Sequence, residues 1–325
     1  MLKAILTVLW RLYNIILIHI NDCVRYIRYS QCIFNKSNKA ALESVIMRRC
    51  HGLERGLSFT ARKRNFGKPK ILELIGYLER YIELYSGLAS PAVEYSVIAL
   101  RGYVDTKATD DLHIIDRIET LLGHETMIPY VRFGEPTHTL YSTEIMSAAR
   151  SNFDELCKSR HSIREYSSDP VDTEDIEKAI RMAQRSPSAC NKQSVRCYYT
   201  SDKRKIELLN KFPLGNRGFQ NPGAIVFVST SFNSHDLAEE RHQGYTEAGM
   251  FAMTLVYAFH YLGMGTCVLS AAVKPKIEKD IVKEFGIQED EALCIMISIG
   301  HLPDEVSVAK SGRFSFDTLY RNLDL

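Results

Sequence analysis

The 325-residue sequence is poor in the residues that build compact chemical motifs. Its eight cysteines, at positions 23, 32, 50, 157, 190, 197, 267 and 294, form no C-x-x-C pair and no zinc-type spacing. That argues against a disulfide framework or zinc module and fits a reducing cytoplasm. The ten histidines show neither H-x-x-x-H nor H-E-x-x-H spacing, so no metal site is expected. No G-x-x-x-x-G-K-[ST] and no G-x-S-x-G occurs, which removes P-loop nucleotide hydrolases and nucleophile-elbow hydrolases. Gly263 and Gly265 lead into a strand without a third glycine, so a Rossmann dinucleotide site lacks its fingerprint. Internal repeats and low-complexity tracts are absent too, and solenoid architectures drop out with them.

Acidic residues are missing from the first 21 positions. Residues 1–64 hold twelve Lys/Arg against Asp22, Glu43 and Glu54, a net of +9 that leaves −7 for the remainder of a chain whose total is +2. A basic arm on an acidic body points to an anionic partner, membrane phosphates or nucleic acid. No nucleic-acid module accompanies the arm, so nucleic acid is not the expected partner. Leu2–Ile20 is almost wholly apolar but is interrupted by Lys3, Arg11 and His19. A spanning helix would place Arg11 near its centre at a cost of roughly 2.5–3.5 kcal/mol. The apolar run Ala4–Trp10 lacks a small-residue cleavage site, which argues against a signal peptide. Two readings remain open: an interfacial helix with Trp10 and Tyr13 at headgroup level, or a helix docked on the body or on a partner subunit.

The remaining composition, 45% hydrophobic and 25% charged, is that of a soluble globular protein with a core large enough to need no disulfides. The length suits two domains or one enlarged domain. Residues 68–88 read as an amphipathic helix with Ile71, Leu74, Ile75, Leu78, Ile82 and Tyr85 on one stripe. Helices are also expected over 38–50 and 110–122, and 124–141 reads as a connecting segment. After residue 150 the elements alternate. A helix opens at Asp172; strands are expected at 195–200, 223–230, 265–270 and 293–299, the second and last apolar on both faces. Helices are expected over 203–211 and 275–285. Residues 247–262 are apolar nearly all round, as suits a helix buried in the fold or between subunits. The expected division is a helical region at 1–150 and an α+β domain at 151–325.

Two segments stand out chemically. Arg160-His161-Ser162-Ile163-Arg164 sets two guanidiniums and a hydroxyl in one stretch, apt for a phosphate and a second anionic or carbonyl group. Ser186-Pro187-Ser188-Ala189-Cys190-Asn191-Lys192-Gln193 is a turn of small polar residues whose backbone can approach a flat ligand closely. Taken singly, the first reads equally as a solvated charged helix end and the second as an ordinary loop.

With P-V-D at 170–172, Gly215-Asn216, G-M-G-T-C-V-L-S at 263–270, Ser298-Ile299-Gly300-His301-Leu302-Pro303 and the basic pair Lys310/Arg313, these segments resemble the FMN-dependent nitroreductase family over Asp154–Phe314. The resemblance implies an α/β sandwich with a central sheet and a buried helix at the interface of an intertwined homodimer. FMN would lie between subunits. Arg160 and Ser162 would hold its phosphate, His161 would add backbone or ring contacts, and Arg164 would face the N1/O2 edge of the ring. A fixed cation there stabilises the reduced, anionic flavin. Pro187, Ser188 and Asn191 would come from the second subunit. Asn216 would approach the pyrimidine end of the ring, and Leu269 and Ser270 would present backbone groups near N5. Arg313 and Lys310 would complete the phosphate cluster. The activity implied is a flavin oxidoreductase that passes electrons from NAD(P)H through FMN to a small oxidised substrate, with no obligatory protein acid or nucleophile.

Two departures from the family pattern matter. The family commonly continues from N-x-Q to Pro-Trp, whereas Ser194-Val195 follow Gln193 here. His242–Glu247 stands where many relatives carry an Asp-x-Gly turn; Tyr245 and Glu247 are read first as residues of the opening helical turn and second as substrate contacts. The His51–Leu57 and Phe66-Gly67-Lys68 segments look similar to an extension on nitroreductase-like proteins of surface-polysaccharide loci. Read alone, Gly52 and Gly56 suggest a helix C-cap and turn. The rival reading is a scaffold, with or without flavin, recruited by residues 1–30 to a membrane-associated assembly such as one for polysaccharide synthesis. On either reading the expected location is the cytoplasm, with peripheral contact at the inner membrane face through residues 1–30 left open.

Overall fold

The computed structural model describes residues 2–29, 39–85, 90–124, 135–212, 214–235 and 237–324. Its architecture is mixed helix and sheet with a helical N-terminal region. The chain divides into two compact units, residues 1–21 with 140–306, and residues 22–139 with 307–325.

The second unit is built on α2 (Lys39–Leu57), α3 (Lys68–Tyr85), α4 (Pro91–Asp105) and α5 (Leu112–Leu122). Ile46, Leu74, Leu78, Leu100, Tyr103 and Ile118 form its core. The helix expected over 68–88 is α3; residues 86–89 lie outside the described residues. α5 opens on Asp111, whose carboxylate accepts from the His113 and Ile114 amides and so satisfies two first-turn donors. α4 was not anticipated. It buries residues around most of its circumference, from Ala92 to Tyr103, and so shows no single stripe.

Gly52 and Gly56 do not form a cap or turn, because α2 runs through both to Leu57. The bare backbone at Gly56 is instead the seat of the Phe66 ring, which a Cβ there would strike. Phe66 in turn meets Tyr103 edge-on at 5.2 Å.

The first unit contains α6 (Ser142–Ala149), α7 (Phe153–Ser159), α8 (Thr173–Ala183), β2 (Val195–Thr200), α9 (Lys203–Leu208), β3 (Ala224–Ser231), α10 (Gln243–Tyr261), β4 (Met264–Ser270), α11 (Pro275–Phe285) and β5 (Glu291–His301). The four strands form an antiparallel sheet in the order β2-β3-β5-β4. Strand alternation splits the apolar residues of β3 between two cores. Ala224, Val226 and Val228 pack with α8 and α10, while Ile225 and Phe227 pack with α9 and α11. Hence both central strands are apolar on both faces, and every residue of β3 is buried.

Residues 124–141 were expected to be a plain connection, yet Thr137–Tyr141 forms β1 and pairs with β6 (Glu305–Ala309). T-H-T-L-Y has the β-branched and aromatic content of a strand, but its partner lies far along the chain and leaves no local signal. Residues 125–134 of that segment lie outside the described residues. α1 (Leu2–Tyr29) is one continuous helix. No helix among the described residues is long and apolar enough to cross a membrane.

Candidate functional site

The R-H-S-I-R-E-Y segment is a strap laid beside β4 and held by its uncharged residues. Ile163 donates its amide to the Thr266 carbonyl at 2.8 Å, and Ser162 forms a parallel bridge with Thr266. The Ile163 side chain rests on Gly265, where a Cβ would come within 3.0 Å of it. Tyr166 rests on Gly300, and its hydroxyl engages the Ser298 hydroxyl at 2.7 Å and donates to the Ile163 carbonyl at 2.8 Å. Two glycines on neighbouring strands thus seat two anchors three residues apart, which fixes where Arg160, Ser162 and Arg164 emerge.

Arg160 takes the C-cap position of α7. Arg164 is buried at 7% exposure, with Nη1 donating to the Ser162 carbonyl at 3.2 Å and Nε without a partner. Among the described residues no carboxylate pairs with it. The strap is tied to the segment after Asn216 by the Gln220 amide, which donates to the Arg164 carbonyl at 3.0 Å, and by the Tyr166 amide, which donates to the Gln220 carbonyl at 3.1 Å; the Phe219 amide closes that segment onto the Asn216 carbonyl. Asn216 is buried. Its Nδ2 donates to the Leu209 carbonyl at 3.0 Å, and its Oδ1 has no partner. With Leu269, Asn216 lines a cleft of about 610 Å³ between the 168–171 segment, α9 and β3. Arg160, Ser162 and Arg164 lie outside its walls. Ser270 ends β4, exposed, and its hydroxyl accepts from the Ala272 amide.

Pro187, Ser188 and Asn191 sit elsewhere. Pro187 and Ser188 border a smaller cavity of about 230 Å³ with Gln184, Gln193, Glu247 and Phe251. The loop is strained: Cys190, Asn191 and Gln193 have φ of 50°, 56° and 50°, a region that asparagine tolerates and the others disfavour. Glu247 holds it. Its buried carboxylate accepts from the Ala189 amide at 2.8 Å and the Ser194 hydroxyl at 2.6 Å, and Thr230 donates to the same hydroxyl. Glu247 is therefore a positioning residue, and Tyr245, 46% exposed, takes no part in this clamp. The two departures from the family pattern, Ser194 and the opening of α10, meet in one hydrogen bond.

The two sets of candidate residues lie at opposite ends of β3. The strap reaches the Ala224 end through Thr266 and Ile299, while Ser194 accepts from the Ser231 amide at the other. The seven rises of that eight-residue strand separate them by about 23 Å. Lys310 and Arg313 belong to the other unit. There the Lys310 amide donates to the Pro136 carbonyl, the Arg313 guanidinium turns back onto the Ser311 carbonyl, and Tyr95 donates to the Arg313 carbonyl at 2.8 Å.

His260, near the end of α10, was not singled out from sequence. It is 5% exposed, and its Nε2 lies 2.8 Å from the Ser159 hydroxyl. Burial, aided by the charges of Arg160 and His161, lowers its pKa from 6.5 to about 4. The unfolded chain therefore takes up a proton between these values that the folded chain refuses, so stability is full above pH 6.5 and falls toward pH 4. Urea unfolding at pH 7.5 and pH 5 should differ by about 2 kcal/mol from this group. His260→Gln should remove that part of the difference; an unchanged acid slope would contradict the assignment.

The nitroreductase family model matches residues 157–216, from the end of α7 through the strap to Asn216. A protein of Archaeoglobus fulgidus, provisionally named an NADH dehydrogenase/NAD(P)H nitroreductase, is 25% identical over 167 residues, 50% of this chain and 92% of that protein. A provisionally named NAD(P)H nitroreductase of Streptococcus pyogenes is 42% identical over 86 residues, 26% of this chain and 42% of its own length. Among solved structures, a nitroreductase family protein from Clostridium difficile aligns with TM-score 0.44 and 19% identity, over 54% of this chain and all of its own. A provisionally assigned nitroreductase from Exiguobacterium sibiricum, solved in complex with FMN, aligns with TM-score 0.45 and 17% identity, over 53% of this chain and 97% of its own. The C-terminal half of the chain is thus similar to nitroreductase-family proteins.

Proposed function

We propose that the protein binds FMN and works as an NAD(P)H-dependent oxidoreductase of the nitroreductase type, acting on a small oxidised substrate. The observation that carries this reading is Arg164, a buried guanidinium with an unpartnered Nε and no carboxylate partner among the described residues. Leaving such a charge uncompensated costs several kcal/mol, and an anionic or carbonyl oxygen from a ligand relieves it. The buried, unpartnered Oδ1 of Asn216, in the segment that Gln220 ties to the Arg164 carbonyl, is a second orphan, an acceptor suited to a ring N–H. These groups fit a flavin. Arg160 and Ser162 would hold its phosphate, and Arg164 the electron-rich edge of the ring. The flavin, when bound, supplies the hydride and electron chemistry. The chain itself positions that group, keeps a fixed cation at its edge and excludes water with Leu269 and the strap.

The separation of the two residue sets along β3 supports a homodimer. A flavin that touches both Arg164 and Pro187 takes the loop from a second chain, and the exposed Met250 and Met253 on α10 suit such a contact. We place the protein in the cytoplasm on this chemistry.

Purified protein should be yellow, or become so with added FMN, and should oxidise NADH or NADPH when quinone or nitroaromatic acceptors are supplied. Arg160→Ala and Arg164→Met should each weaken FMN affinity by about tenfold or more, the loss of one charge-assisted contact. Protein that stays colourless with FMN would overturn the reading. FMN bound without turnover against any acceptor would identify a flavin-holding scaffold instead.

A further inference from the structure

The N-terminal helix carries a surface that the flavin chemistry does not use. In α1, every side chain from Ile5 to Leu17 except Asn14 is exposed, and its large apolar residues are between 41% and 66% exposed. The polar residues are ordered: Lys3, Thr7, Arg11 and Asn14, at spacings of four, four and three, share one stripe. Ile5, Leu9, Leu12 and Ile16 lie opposite that stripe, and Trp10 stands at its border beside Lys3. An apolar patch of this extent marks an interaction surface. No helix among the described residues is long and apolar enough to cross a membrane, and a single surface that takes both the apolar arc and the cations suits α1.

We infer that α1 lies in the interface of an anionic lipid bilayer, with its apolar arc among the acyl chains and Lys3 and Arg11 at the phosphates. Charge decides between lipid and a second copy of the chain. No carboxylate occurs before Asp22, and the first 64 residues carry +9, so two such helices repel while an anionic surface attracts both. Trp10 and Tyr13 are the amphipathic rings that favour the headgroup level. The chemistry continues beside the helix. Ile15 and His19 line a cleft of about 400 Å³ with Phe232, His235, Leu237 and Arg241, apolar and cationic together. Both ring nitrogens of His235 are buried there without partners. The inference does not rest on flavin binding.

Trp10 is the single tryptophan of the chain, so its fluorescence reports the helix directly. The full chain should be titrated with vesicles of phosphatidylcholine and of phosphatidylcholine mixed with phosphatidylglycerol. Anionic vesicles should shift the emission to the blue, shield it from acrylamide, and bind at least about tenfold more tightly than neutral ones. Raised salt should weaken the binding. Lys3→Glu with Arg11→Glu should cost at least about tenfold, and Leu9→Asp with Ile16→Asp should abolish the blue shift; circular dichroism and urea unfolding control for folding. Equal binding to both vesicle types, or an emission that anionic vesicles leave unchanged, would overturn the proposal. So would Trp10 already shielded in a self-associated form that vesicles do not disperse.

Discussion

Gly300→Ala should lower the unfolding free energy by about 3 kcal/mol, an unusually large effect for one methyl group. The new Cβ would lie 2.7 Å from Cγ and Cδ1 of Tyr166. Neither side can yield easily. Gly300 is backbone within β5, paired with Gly265, and Tyr166 is 4% exposed with its hydroxyl fixed on Ser298 and Ile163. Relief comes only by lifting the strap from the sheet, which also displaces Arg164. Stability and flavin retention should therefore fall together. Tyr166→Phe keeps the ring in its seat and loses only the hydroxyl, at a cost of about 1–2 kcal/mol. In a double-mutant cycle, Tyr166→Ala should recover part of the Gly300→Ala loss, because the clash disappears with the ring. Urea denaturation reads all three; a Gly300→Ala chain within about 0.5 kcal/mol of the parent would contradict the seating.

Glu247→Ala should cost about 3 kcal/mol and also release the 187–193 loop. The substitution leaves the Ala189 amide and the Ser194 hydroxyl without their acceptor in a buried site, each a penalty of about 1–3 kcal/mol. Three left-handed residues, Cys190, Asn191 and Gln193, are held in place against their preference, so the loop relaxes once the clamp is gone. The stability loss is thus partly offset by relief of strain, while flavin retention suffers fully. Glu247→Gln keeps one acceptor oxygen and should lose about half as much. Chemical denaturation, together with protease cleavage in the loop, separates the two effects. A Glu247→Ala chain of parental stability with an intact, uncleaved loop would show that the carboxylate is not the clamp.

The sheet and its two faces were legible because Gly223–Thr230 and Leu293–Ile299 are short, β-branched-rich apolar runs without alternation, as a doubly covered strand requires. The strap was legible as chemistry, since Arg160, Ser162 and Arg164 announce an anion. Its mechanics were not, because the fit of Ile163 on Gly265 and of Tyr166 on Gly300 joins residues more than a hundred positions apart. Glu247 was hidden for the same reason. On its own helix it is one polar residue in the first turns, and its partners Ala189 and Ser194 arrive from a distant loop. Helix α4 escaped because it buries too much of its surface to show a stripe, and β1 because its partner β6 lies beyond the whole sheet unit. Gly56 misled because a glycine near a helix end suggests a cap until the aromatic ring it accommodates is seen.

The central claim, a flavin held by Arg164 of one chain and the Pro187 loop of another, is tested most directly by mixing two damaged chains. One carries Arg164→Met and the other Pro187→Glu, each with its own affinity tag, and both are purified as mixed pairs. Neither variant alone should retain FMN. The mixed pair joins one intact strap to one intact loop and should recover about one FMN per two chains. Mixed pairs that remain free of flavin while the parent chain binds it, or single variants that retain it undiminished, would contradict the account.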